Sequence, residues 1–145
     1  MEDKLKIAII ASRFNELLVE NLIKSSINTL KENNCYEESI DIFRVPGAFE
    51  LPLIAKRVAE SNKYDGIIAL GAVIRGATPH FDYICSEATA GLSRVSIDLN
   101  IPIGFGVLTC DTMNQAIERS GDGSGNKAVE ATLATLDMIK TIGSL

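Results

Sequence analysis

The segment GIIALGAVI, residues 66–74, limits the possible folds more than any other stretch of this chain. It is uncharged throughout and sits between Asp65 and Arg75. A strand with one wet face alternates apolar and polar residues, whereas a continuous apolar run is expected where helices cover both faces of a parallel sheet. It falls well short of the roughly 20 residues that cross a membrane. Residues 5–11 (LKIAIIA) share this character, and residues 40–45 (IDIFRV) and 103–108 (IGFGVL) complete four predicted strands.

Amphipathic stretches separate them. Residues 15–31 place Leu18, Leu22, Ile23, Ile27 and Leu30 on one helical stripe, with Asn15 as the expected cap. A second helix is predicted over 50–61, after the Pro46-Gly47 turn, and a third runs from Thr78-Pro79, a capping hydroxyl before a first-position proline, to Leu99, short of Pro102. Asp111 is expected to cap a short helix ending at Ser120, and residues 126–142 form the last one. The order β-α-β-α-β-α-β-α-α predicts an α/β fold with a four-stranded parallel sheet, helices on both faces and right-handed crossovers. At 145 residues, with no repeat or linker, the chain is expected to form one domain over 1–145.

Charge and cysteine content narrow the partners. A net charge of −5 argues against nucleic acid, which needs a basic face. The N-terminus, MEDKLKIAII, lacks a signal-peptide layout, and no apolar stretch suits a membrane, so a soluble cytoplasmic chain is expected. Cys35, Cys85 and Cys110 lie far apart beside a single histidine, so no zinc spacing can be assembled; buried thiols in a reducing compartment are expected, and no metal site.

Ligands of open parallel sheets bind beyond the carboxyl ends of the strands. There, Val73-Ile74-Arg75-Gly76-Ala77-Thr78-Pro79-His80 joins a strand to a helix through small residues. Free N–H groups and the positive dipole end of such a helix make an anion site, although an ordinary βα turn reads the same way. His80 is the only imidazole, suited to proton transfer near neutral pH, or else a plain surface histidine. Phe14 stands at the end of the first strand, where an exposed ring stacks on a flat ligand or packs into the core. In Pro46-Gly47-Ala48-Phe49-Glu50, Phe49 fits a core position and Glu50 a first-turn acid.

The Gly-rich run 121–125 before Asn126-Lys127 fails as a phosphate loop, because Gly does not precede the Lys, Ala128 follows it and a helix comes before. Lys127 and Glu130 share a helical face and can pair or act together. Arg119 suits the end of its helix whether or not it binds anything.

Taken together, RFN at 13–15, VPGAFELP at 45–52, YDGIIALGAVIRGATPHFDYI at 64–84 and QAIERSG…GNKAVE at 115–130 resemble the lumazine synthase family over essentially the whole chain. The resemblance implies a flavodoxin-like three-layer αβα sandwich. It implies a transferase of riboflavin biosynthesis that condenses 5-amino-6-(D-ribitylamino)uracil with 3,4-dihydroxy-2-butanone 4-phosphate, without a cofactor or metal. By the same resemblance, Phe14 stacks on the pyrimidine, and Ala48, Phe49, Glu50, Ala72, Val73 and Ile74 hold its polar edge and ribityl chain. Ala77, Thr78 and Arg119 hold the phosphate, and His80 shuttles protons. Phe105, Arg119, Lys127 and Glu130 reach into an adjacent subunit's pocket, which implies a homopentamer and, in some members, a cage of twelve pentamers.

Two other classes share this fold outline. A flavin-binding electron carrier needs a first loop rich in Ser and Thr, and Ser12-Arg13-Phe14-Asn15-Glu16 is not one. A response-regulator module needs carboxylates at strand ends where this chain has Ala11 and Ile74. A cage protein without activity is a third reading, at odds with the full set of site residues.

Overall fold

The computed structural model describes residues 4–123 and 125–145; Ser124, in the Gly-rich run, lies outside them. The four strands are β1 (Ile7–Ser12), β2 (Ile40–Val45), β3 (Gly66–Ile74) and β4 (Ile103–Cys110). They form one parallel sheet in the order β2-β1-β3-β4. Ile7 lies opposite both Ile40 and Gly66, and Ile67 opposite Ile103. The central pair behaves as its composition requires: β1 is buried throughout, and β3 is buried up to Ile74.

Helices α1 (Glu16–Glu32), α4 (Met113–Ser120) and α5 (Lys127–Gly143) cover one face, and α2 (Leu51–Glu60) and α3 (His80–Leu99) cover the other. The resulting three-layer α/β sandwich agrees with the flavodoxin-like expectation. Successive strand residues point to opposite faces, so the sheet feeds two cores. Ala8 and Ile10 join Leu51, Ala55 and Leu92 in one. Ile7, Ile9 and Ala11 join Val19, Leu22 and Leu30 in the other.

The α1–α5 seam carries buried hydroxyls as well as aliphatic groups. Ser26 and Thr132 share a hydrogen bond of 2.7 Å, which satisfies both where neither meets water. Close approach of α5 to the sheet depends on Gly104, where a Cβ would lie 2.5 Å from the Ala131 carbonyl oxygen and collide with Thr135 Oγ1.

Three expected helix starts are corrected. Asn15 does not cap α1: it is left-handed, at φ 61°, and makes no capping bond. Thr112, not Asp111, caps α4, accepting from the Gln115 N–H while Gln115 reaches back to the Thr112 N–H. Thr78 does not cap α3, which begins at His80 directly after Pro79. By contrast, Asn126 does cap α5, with Oδ1 accepting from the Ala128 and Val129 N–H groups.

Candidate active site

At the carboxyl edge of the sheet, backbone bonds join the strand exits. The Arg13 N–H donates to the Val45 carbonyl at 2.8 Å, and the Phe14 N–H donates to the Pro46 carbonyl at 3.1 Å. Phe14 is thereby fixed by its backbone while 71% of its surface stays exposed. After β2, Gly47 leads into a single 3-10 turn at Ala48–Glu50, and Glu50 Oε1 accepts the Gly47 N–H at 2.9 Å. That bond fixes the carboxylate and the turn together. Ala48 is buried beneath, and Phe49 is exposed.

These segments, the end of β3 and the start of α3 enclose a cleft of about 670 Å³. Ligand sites for small molecules span about 300–1,000 Å³, with mostly apolar walls and a few placed polar groups. Here Phe14, Ala48, Phe49, Ala72, Val73 and Ile74 supply the walls, and Glu50, Thr78 and His80 the polar groups. Among the described residues no side chain caps α3; the Asp82 N–H turns back to the Pro79 carbonyl at 3.0 Å, so the His80 and Phe81 N–H groups are the ones a helix start of this kind offers to an anion. His80 is exposed at that helix start and lines the same cleft.

Pro46, Gly47, Gly76, Phe81, Tyr83 and Ile84 also line the cleft. Tyr83 and Ile84 follow His80 by three and four residues, so helical periodicity alone placed them on its face. The three cysteines are free, and all are pushed up from the usual thiol range, mainly by burial. At Cys110 the charge and hydrogen bond of Arg119 pull the other way. None of the three lines the cleft.

A family model described as 6,7-dimethyl-8-ribityllumazine synthase matches residues 4–142. The chain belongs to the 6,7-dimethyl-8-ribityllumazine synthase family. It is similar to the 6,7-dimethyl-8-ribityllumazine synthase of Nitratidesulfovibrio vulgaris strain Miyazaki F, at 51% identity over 97% of this chain and 90% of that one. The synthase of strain DP4 of that organism shows the same identity and coverage. That of Desulfovibrio desulfuricans is 48% identical over the same shares.

The positions that the lumazine synthase resemblance singled out fall into two groups. Phe14, Ala48, Phe49, Glu50, Ala72, Val73, Ile74, Thr78 and His80 converge on the cleft, and Ala77 is exposed in the loop beside Thr78. The rest do not line it. Phe105, half-buried on β4, lines a separate groove of about 250 Å³ against α3, with Leu92 and Ile97. Arg119 is exposed on the last turn of α4, where its Nη1 donates to the Gln115 carbonyl at 3.2 Å. Lys127 and Glu130 pair with each other at 3.1 Å.

Proposed function

We propose that the cleft holds the two substrates of the lumazine synthase reaction side by side. The reaction condenses 5-amino-6-(D-ribitylamino)uracil with 3,4-dihydroxy-2-butanone 4-phosphate to give 6,7-dimethyl-8-ribityllumazine, phosphate and water. One observation carries the placement: a cleft whose mouth is flanked by an exposed aromatic ring, Phe14, also contains an uncapped helix start bearing the chain's one histidine. A flat pyrimidine suits the first feature, and a phosphate suits the second.

In this reading Phe14 stacks on the pyrimidine. Ala48, Phe49 and Glu50, with Ala72, Val73 and Ile74, hold its polar edge and ribityl chain. Ala77, Thr78 and the α3 N–H groups hold the phosphate. The primary amine attacks the ketone and loses water to form an imine, phosphate leaves, and the ribityl-bearing nitrogen closes the ring with loss of a second water. Each step moves protons, and His80 is the side chain placed to carry them, a contribution of about 10²–10⁴-fold. Holding two reactants in register supplies much of the remaining rate.

The site residues outside the cleft support a shared site. Arg119, Lys127, Glu130 and Phe105 are directed in this reading to a neighbouring subunit's cleft, as phosphate ligand, proton-handling pair and pyrimidine contact. Such sharing makes a homopentamer the smallest active unit, with a cage of twelve pentamers as the larger assembly. Each subunit is one domain over 1–145, active in the cytoplasm; among the described residues no helix is long and apolar enough to cross a membrane. Mixing the two substrates with the protein should produce the lumazine chromophore. No chromophore from a folded oligomer would overturn the assignment.

A further inference from the structure

The segment assigned to phosphate in the proposed site is exposed from Arg75 through His80, and among the described residues no side chain caps the helix that follows. An anion site of backbone N–H groups works only if those groups are held in place before the ligand arrives. Upstream, the β3–β4 ladder ends at Ile74 opposite Cys110, and the Arg75 N–H extends it by donating to the Cys110 carbonyl at 2.9 Å. Downstream, Phe81 is buried. Between these anchors the Arg75 side chain closes the loop on itself. Its Nη2 lies 3.2 Å from Asp82 Oδ1, in the first turn of α3, and its guanidinium carbon sits 4.4 Å from the centre of the Phe81 ring.

A second arm leaves the loop. Arg75 Nε donates to Asp111 Oδ1 at 2.7 Å, and the Asp111 N–H donates to Gln115 Oε1 at 2.8 Å within the cap of α4. Arg119 stands one turn further on and bonds the Gln115 carbonyl. One planar cation therefore ties the start of α3 to the start of α4. A lone exposed ion pair contributes little, but here two carboxylates and an aromatic face converge on one fork-shaped group that lysine cannot replace.

We propose that Arg75 is a positioning residue for the phosphate end of the site: it holds residues 76–79 and the first N–H groups of α3 in their anion-gripping arrangement, acting through Asp82 and Asp111. It rests on the reading that this loop is the phosphate site. Arg75 is not the phosphate ligand itself, because its guanidinium is already divided between the two carboxylates.

Inorganic phosphate, as a competitor of the butanone phosphate, is the probe, alongside the KM of each substrate. Arg75→Gln should raise the inhibition constant of phosphate and the KM of the butanone phosphate about tenfold, the scale of a small misplacement of binding groups, and leave the KM of the pyrimidine within about twofold. Arg75→Lys, which keeps the charge, should recover less than half of that loss on a logarithmic scale. Asp111→Asn, a milder change that severs only the outer arm, should move phosphate in the same direction as Arg75→Gln. In an Asp82→Asn, Asp111→Asn background, Arg75→Gln should add less than about twofold, since its partners are gone. A full tenfold effect persisting in that background would make Arg75 a direct ligand and overturn the positioning role. Thr78→Ala serves as the reference for the loop. If it weakens phosphate and Arg75→Gln does not, the positioning role fails and the phosphate reading stands; if Thr78→Ala leaves phosphate unmoved, both fall.

Discussion

Asn15 donates its side-chain amide to the Ala72 carbonyl at 3.0 Å, joining the turn after β1 to the last residues of β3. The same residue holds a left-handed backbone at φ 61°. It immediately follows Phe14, whose own N–H is bonded to Pro46. The exposed ring over the cleft is therefore fixed from two neighbouring strands, and an asparagine is the side chain that tolerates the backbone while reaching the carbonyl.

Replacing Asn15 by Ala should destabilise the protein by about 1–3 kcal/mol, combining left-handed strain with one lost hydrogen bond. Asn15→Gly should recover the strain and leave only the missing bond. Urea denaturation of both variants checks this, and equal losses would remove backbone strain from the account. Both should raise the KM of the pyrimidine more than that of the butanone phosphate, because the loosened residue is Phe14.

The misread helix starts show where local sequence reading stops. Asn15 and Asp111 each had cap chemistry in the right place, but their polar groups found distant partners, Ala72 and Arg75. Nothing within a few residues of either position signals those bonds. The sheet was legible because burial on both faces leaves a mark along each strand, most plainly in Ile67, Ile68, Ala69 and Leu70, which are all fully buried. The cleft's location followed from topology and its aromatic and imidazole groups from the motifs. Tyr83 was missed, although its spacing of three from His80 puts it on the same helical face. The division of Arg75 between Asp82 and Asp111 depends on how β3, α3 and α4 meet, which no one-dimensional pattern carries.

In the proposed site His80 assists the reaction without carrying it alone. His80→Ala should lower turnover by about 10–100-fold, the low end of acid–base contributions together with retained proximity. Steady-state kinetics on the folded variant measures this. Unchanged turnover would end the proton-shuttle role and leave the ring a surface histidine.

At the opposite edge of the sheet, burial, the hydrogen bond to Asp41 and the charge of Asp41 push the Tyr64 phenol up to about 12. The phenol donates to Asp41 Oδ2 at 2.6 Å, a bond that requires the protonated form. A folded-state pKa above the unfolded value near 10 means a stabilising contribution that is complete below about pH 10 and lost as pH rises through about 12. Tyr64→Phe should therefore be less stable than the parent at neutral pH, with the difference narrowing across that alkaline window. Phenolate absorbance should lose its phase near pH 12 in the variant. Equal stability of parent and variant at every pH would leave Tyr64 with its packing against Phe43 alone.

In the proposed shared site Arg119 serves the phosphate rather than the pyrimidine, since a guanidinium grips two oxygens at once. Arg119→Gln should raise the KM of the butanone phosphate by at least about tenfold and that of the pyrimidine by much less, as expected for loss of a charge-assisted contact. Equal weakening of both substrates would make the residue structural, held by its bond to the Gln115 carbonyl and its contact with Cys110.

The separation of the site residues into two groups makes a stronger demand on assembly. Phe14 and His80 line the cleft of their own chain, whereas Arg119 and Lys127 do not. If these residues act in one reaction, the second pair must come from a neighbour, and no isolated subunit holds a whole site. A chain with Phe14→Ala and His80→Ala should be nearly inactive, as should one with Arg119→Gln and Lys127→Ala. Exchanging subunits between them places an intact cleft beside an intact α4–α5 edge at some interfaces, so part of the activity should return. The two sets of changes cannot compensate within one chain, so recovery on mixing requires shared sites. Mixed rings that form and remain inactive, or a monomer active without association, would confine the reaction to one subunit and remove Arg119 and Lys127 from it.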